Sequence, residues 1–120
     1  MDDDTARSTV RPLVVPELVT LPAEIDISNA DAVREDLQAA LRPGVAVVIA
    51  DMTSTVFCDS AGLRSLLLAS DAARAAGAEL RLVIPSAAVL RIMQVAGFDR
   101  LLPVYLAMQE ALTGAARPVP

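Results

Sequence analysis

Three observations predict a single α/β domain with a mixed sheet of roughly four to five strands and about four helices. The run Val45–Ala50 is continuously apolar and of strand length, which suits a strand covered on both faces. Apolar residues recur at helical spacing in Ala30, Val33, Leu37 and Leu41, and again through the leucine-rich segment Leu63–Ala76. Helical and strand-like segments then alternate along the chain, with Pro43-Gly44, Gly77 and Gly97 at the expected helix ends.

Residues 1–12 carry Asp2, Asp3 and Asp4 with little apolar content and are expected to be a flexible tail; the domain is expected to span 13–114, and 115–120 to be a second tail. Leu13–Val15 and Leu18–Leu21 read as two short strands broken at Pro16-Glu17, with Pro16 and Pro22 keeping them at an edge or at strand ends. Ala23–Ile27 leads into a helix for which Ser28 and Asp31 have capping-box spacing. After Val45–Ala50, closed by Asp51, the segment Met52–Cys58 reads as a loop rich in small hydroxyls. The next helix is expected to bury Leu63, Leu66, Leu67 and Ala73, leaving Leu68 off the stripe. Leu80–Ile84 is a further strand ended by Pro85. Ser86 should cap a third helix with Val89, Ile92, Met93 and Ala96 on one face. Leu101–Val104 reads as a short last strand and Leu106–Leu112 as a final helix.

Composition narrows the function. At 120 residues and 54% hydrophobic, the chain can bury a core without staples. Aromatics are 2% and the net charge is −5, so neither base stacking nor phosphate tracking is supported, and no nucleic-acid partner is expected. The single cysteine, Cys58, permits no intramolecular disulfide and fits a reducing compartment. No histidine is present, so neither a Ser-His-Asp triad nor a histidine metal site can be built. No apolar run reaches membrane-span length and Met1–Val10 does not resemble a signal peptide, so a cytoplasmic protein without membrane insertion is expected. All ten basic residues are arginine, a composition that suggests a GC-rich bacterial genome.

The working stretch is expected to be Phe57-Cys58-Asp59-Ser60-Ala61-Gly62-Leu63, a strand-to-helix loop with a hydroxyl at the turn. Asp59 and Ser60 are both good N-cap residues, and in α/β sheets functional groups gather beyond the carboxyl ends of strands, where Asp26, Asp51 and Asp59-Ser60 should all fall. Asp51 suits holding its loop through backbone amides, and Gly62 permits close packing at the first helical turn. Three functional classes fit these residues: a binding module switched at Ser60, an unswitched scaffold in which Ser60 is only a cap, and a small enzyme using Cys58 or the aspartates. Nothing beyond a helix dipole would activate Cys58. A Mg²⁺ cluster of Asp26, Asp51 and Asp59 is chemically allowed, but an acidic loop explains the same residues. No catalytic residue, metal or cofactor is expected.

Several motifs together resemble the STAS domain, the family of bacterial anti-sigma factor antagonists. They are Glu24-Ile25-Asp26, Val47-Val48-Ile49-Ala50-Asp51-Met52, and Phe57 to Leu63. Ala76-Gly77 before Leu80-Arg81-Leu82-Val83, Pro85-Ser86, and Val89–Leu101 with Gly97-Phe98-Asp99 continue the pattern. The likeness covers about residues 13 to 114. Four positions depart from the family pattern: Ala23 stands where glycine is usual, Cys58 where an aliphatic is, Ala61 where a second serine is, and Arg64 where a small residue is frequent.

The resemblance implies a small domain that binds an anti-sigma factor serine kinase, releases the sigma factor, and is switched off when the kinase phosphorylates the serine of the Asp-Ser motif; a serine phosphatase resets it. Ser60 is then the phosphoacceptor. Asp26, Ser28, Asn29, Asp59, Ser60, Ala61 and Arg64 would face the partner, with Asp51 and Gly62 structural at the site. The protein would be a kinase substrate and not an enzyme, regulating transcription indirectly. The alternative within the same family is a scaffold or transporter-associated subunit that phosphorylation does not switch.

Overall fold

The computed structural model describes residues 15–114; the two expected tails lie outside them, as do Leu13 and Val14 of the first expected strand. Val15 is exposed and belongs to no strand. The chain runs through β1 (Glu17–Thr20), β2 (Glu24–Ile25), α1 (Ala30–Ala39), β3 (Val47–Asp51), β4 (Phe57–Cys58), α2 (Ser60–Ala75), β5 (Glu79–Val83), α3 (Ala87–Val95), a 3₁₀ turn (Phe98–Arg100), β6 (Val104–Tyr105) and α4 (Met108–Thr113). Four strands form one sheet in the order β1-β3-β5-β6, while β2 and β4 form a separate two-stranded ribbon. Every pairing among the described residues is parallel. The α/β class, the four helices and the four-stranded sheet agree with the sequence. β1 lies at an edge, as its flanking prolines require.

The apolar run in β3 is explained by burial on both faces. Val48 and Ala50 join Val33 and Leu37 of α1 and Leu63, Leu66, Ala69 and Ala73 of α2 in the larger core. The alternate residues Val47 and Ile49 point the other way and pack with Val83, Tyr105, Ala111 and Met108, so α4 covers the opposite face. Arg81 ties α4 down: its guanidinium donates to Glu79 Oε1 at 2.7 Å and to the Ala111 carbonyl at 2.8 Å.

The helix ends follow local chemistry. α2 closes in a Schellman motif: Gly77 adopts φ +78°, Ala78 N–H reaches the Ala73 carbonyl at 2.8 Å, and Gly77 N–H reaches Arg74 at 3.0 Å. Ser86 Oγ accepts from Val89 N–H at 3.3 Å and caps α3 as expected. α1 stops at Ala39, short of Pro43-Gly44. Its last turn tightens through Ala40 N–H to Leu37 and Leu41 N–H to Gln38, so Leu41 packs on the core from beyond the helix. Leu67 is only partly buried; α2 instead buries small residues, Ser65, Ala69 and Ser70, against its neighbours. The last strand starts after Pro103, which cannot donate to the ladder but accepts from Leu82 N–H at 2.9 Å.

Candidate functional site

The ribbon of β2 and β4 assembles the site. Its register pairs Glu24 with Phe57 and Ile25 with Cys58, so the next residues, Asp26 and Asp59, emerge side by side at the ends of the two strands. Asp59 N–H donates to the Ile25 carbonyl at 3.0 Å and continues that register. The sequence treats Met52–Cys58 as loop because two-residue strands show no periodicity. Long-range bonds hold the ribbon instead: Val56 N–H to the Ala23 carbonyl at 2.8 Å, and the buried Thr55 hydroxyl to the Pro22 carbonyl at 2.8 Å. Asp51 Oδ1 accepts from Thr53 N–H at 3.0 Å, turning the chain out of β3.

Asp59 is the N-cap of α2. Its Oδ1 accepts from Gly62 N–H at 2.9 Å, and its carbonyl from Leu63 N–H at 2.9 Å. Ser60 is thus the first residue of the helix, with its side chain exposed. Gly62 is buried where nothing larger fits. A Cβ there would lie 2.7 Å from Cys58 Sγ, 2.8 Å from Ile25 Cγ2 and 3.1 Å from the Ile25 carbonyl oxygen.

On the neighbouring loop, Asp26 Oδ1 accepts from both the hydroxyl and the amide of Ser28. The Ser28 hydroxyl, and then its amide, hold the Asp26 carboxyl below the usual aspartate range. Ser28 therefore braces Asp26 and does not cap α1, which corrects the capping-box reading. Asn29 occupies the N-cap position, but its side chain turns back: Oδ1 accepts from Asp26 N–H at 2.9 Å and Nδ2 donates to the Glu24 carbonyl at 2.8 Å. The competition for Asn29 comes from the end of β2, whose backbone groups have no strand partner on that side.

Two grooves flank the start of α2. One is open, about 620 Å³, and runs between α2 and α3; Cys58, Asp59, Ser60 and Leu63 form one wall, and Ala88, Arg91, Ile92, Val95 and Ala96 the other. The α3 stripe expected to be core is only partly covered here. Val89 and Met93 are buried, whereas Ile92 is half-buried, Ala96 exposed, and Val95 79% exposed. A smaller groove of about 160 Å³ lies between α1 and α2 and contains Ala61, Arg64, Leu68 and the 83%-exposed Ile27. The expected partner-facing residues thus gather at one end of the molecule, divided by the first turn of α2. The grooves also bring in Arg91, Val95 and Ile27, which the sequence reading does not single out; for Val95 and Ile27 the available signal is a large apolar residue outside the core pattern.

Cys58 is buried, and its thiol donates weakly to the Asp59 carbonyl at 3.7 Å. Burial, with the Asp59 charge beside it, pushes the thiol up to about 11, so it is protonated at neutral pH and a poor nucleophile. Among the described residues, no group of three or more His, Cys, Asp and Glu is placed to hold a metal ion. No described helix is long and apolar enough to cross a membrane.

The family model of the STAS domain matches residues 9–111, and the chain belongs to that family. No curated protein matches it by sequence. Among solved structures, it is similar to an anti-sigma factor antagonist from Mycobacterium paratuberculosis, with TM-score 0.73 and 23% identity over 82% of this chain and 84% of that one. It is also similar to a sulfate transporter family protein from Wolinella succinogenes, with TM-score 0.74 and 23% identity over 95% of each chain. A third is the Bacillus cell fate determinant SpoIIAA in its phosphorylated form, with TM-score 0.58 and 21% identity over 82% of this chain and 89% of that one. At these identities the likeness concerns the fold.

Proposed function

We propose that this protein is an anti-sigma factor antagonist: a cytoplasmic bacterial binding module, not an enzyme, that engages an anti-sigma factor serine kinase and is switched off by phosphorylation at Ser60. The carrying observation is the placement of Ser60, exposed on the first turn of α2 at the rim of an apolar groove, with Asp59 and Asp26 at the same end. Neutral Ser60 is small, so a partner packs over it and over Ile92 and Val95 at little desolvation cost. The kinase transfers the γ-phosphoryl of ATP to Ser60 Oγ: the new O–P bond forms, the bond to the bridging oxygen breaks, ADP leaves, and the hydroxyl proton passes to a base or to solvent. The product adds about 1.5 to 2 negative charges beside two carboxylates, in an interface built for a hydroxyl. The partner is lost, the anti-sigma factor returns to its sigma factor, and transcription changes indirectly. A serine phosphatase reverses the step. Asp26, Ser28, Asn29, Asp59, Ala61 and Arg64 surround Ser60 as the recognition set, with Asp51 and Gly62 holding the loop and the helix in place. The similarity in fold to the Mycobacterium anti-sigma factor antagonist and to phosphorylated SpoIIAA supports this reading.

The test is affinity for candidate anti-sigma factor kinases from the same genome, measured by calorimetry for wild type, Ser60→Ala and Ser60→Asp. Wild type and Ser60→Ala are expected to bind alike. Ser60→Asp should bind at least about tenfold more weakly, roughly the 1.4 kcal/mol that a buried uncompensated charge readily exceeds. Equal binding by all three would reject the switch. The second reading, a transporter-associated STAS subunit, is favoured by the 95% mutual coverage with the Wolinella sulfate transporter family protein; absence of kinase binding together with capture of transporter components would establish it.

A further inference from the structure

We propose that Arg91 is the internal receptor for the phosphate on Ser60, drawing it across the groove between α2 and α3 and covering the apolar surface there. The inference rests on Ser60 being the phosphorylated residue and goes beyond it, because it assigns a second residue, on a different helix, to the switched state.

Ser60 and Arg91 line the same groove, Ser60 on the α2 side and Arg91 on the α3 side, and the charged groups lining it are Asp59 and Arg91. Arg91 is exposed and makes no hydrogen bond or ion pair with any described residue. Arg34, Arg42, Arg74 and Arg81, by contrast, are each held by an acidic side chain. No contact among the described residues must be broken for Arg91 to swing, and Ile92, Val95 and Ala96 line the same side of the groove.

The start of α2 provides for the phosphate only in part. Of its first-turn amides, Gly62 N–H is taken by the Asp59 side chain and Leu63 N–H by the Asp59 carbonyl, which leaves Ser60 N–H and Ala61 N–H as open donors. The Asp59 carboxylate also opposes a second negative group next to it. Two amides satisfy at most two of the phosphate oxygens' acceptor sites, so a phosphorylated Ser60 gains further from a cation, and a guanidinium presents donors in a planar fork that matches phosphate oxygens two at a time. Once paired, Arg91 spans the groove mouth and covers the half-buried Ile92 beside it. Phosphorylation then removes the partner's apolar footing as well as adding charge.

The test uses the full chain carrying phosphoserine at position 60, installed during translation so that neither kinase nor partner is involved. Phosphorus NMR follows the second phosphate ionisation, which in free phosphoserine falls near pH 6. A partly exposed charge pair predicts that Arg91→Gln raises this midpoint by about half a pH unit relative to the unsubstituted phosphoprotein. Arg91→Lys should recover part of the shift, and Arg100→Gln, in the groove beside Ser70 and Arg74 at the far end of α2, should leave it unchanged. In the nitrogen-15 spectrum, the Arg91 Nε–H is expected to become protected from exchange only when Ser60 is phosphorylated. Identical midpoints with and without Arg91, or a larger shift from Arg64→Gln one turn along α2 from Ser60, would overturn the pairing. A chain that binds no anti-sigma factor at all can still pass this test, so its failure is separable from failure of the partner-switching reading.

Discussion

Gly62 shows how one side chain sets the distance between helix and ribbon. Its φ is ordinary for a helix, so backbone freedom is not the reason for glycine. The reason is space: a Cβ would meet the Ile25 carbonyl at 3.1 Å, and a carbonyl fixed in a strand cannot step aside as a flexible side chain could. In Gly62→Ala, helix propensity gains about 1 kcal/mol, while overpacking costs about 1–3 kcal/mol. The net expectation is a loss of about 1 kcal/mol, read as a lower urea midpoint at unchanged m-value. An unchanged or higher midpoint would mean that α2 can shift outward freely, and the argument that Gly62 fixes the Ser60 position would fall. Asp59 and Ser60 were legible as cap and first helical residue because capping is a local preference. Arg91 was not, because nothing local distinguishes one exposed arginine on α3 from another; only the packing of α3 beside α2 gives it a role.

At the scale of elements, the β2–α1 loop was misread in an instructive way. Spacing favours Ser28 as the cap, but the end of β2 competes for the same side chains and wins. Ser28 braces Asp26, while Asn29 bridges the Asp26 amide and the Glu24 carbonyl. Two of the hydrogen bonds that hold this loop, and so position Asp26 beside Asp59, come from the Asn29 side chain, and each contributes about 0.5–1.5 kcal/mol. Asn29→Ala should therefore cost about 1–2 kcal/mol and speed exchange of the Asp26 amide above all. If exchange quickens evenly through α1 instead, Asn29 acts as an ordinary cap. The ribbon escaped sequence reading for the same physical reason: its partners are far apart in the chain, and residue patterning reports neighbours. The strands of the main sheet were legible because burial on two faces leaves an unbroken apolar run.

For the molecule as a whole, Ser60 and the two aspartates sit at the strand ends while most of the core lies behind them, between the sheet and its helices. A change at Ser60 should alter what binds without altering what is folded. An added negative charge at the first position of α2 gains about 0.3–1 kcal/mol from the helix dipole. Asp59, already placed as the cap, opposes it by a comparable amount through like-charge repulsion. Ser60→Asp is expected to stay within about 0.5 kcal/mol of wild type, a change of at most about 4 °C in Tm for a domain of this size. Calorimetric melting checks it. A fall well beyond that range would mean that lost partner binding by Ser60→Asp reports partial unfolding, whereas an unchanged melt places the whole effect at the surface formed by Ser60, its two aspartates and the groove beside them. Repeating the melt with Arg91→Gln on the Ser60→Asp background extends the argument. A carboxylate one bond shorter than a phosphate ester reaches the groove less far, so Arg91 should matter little to that variant and more to the phosphorylated chain.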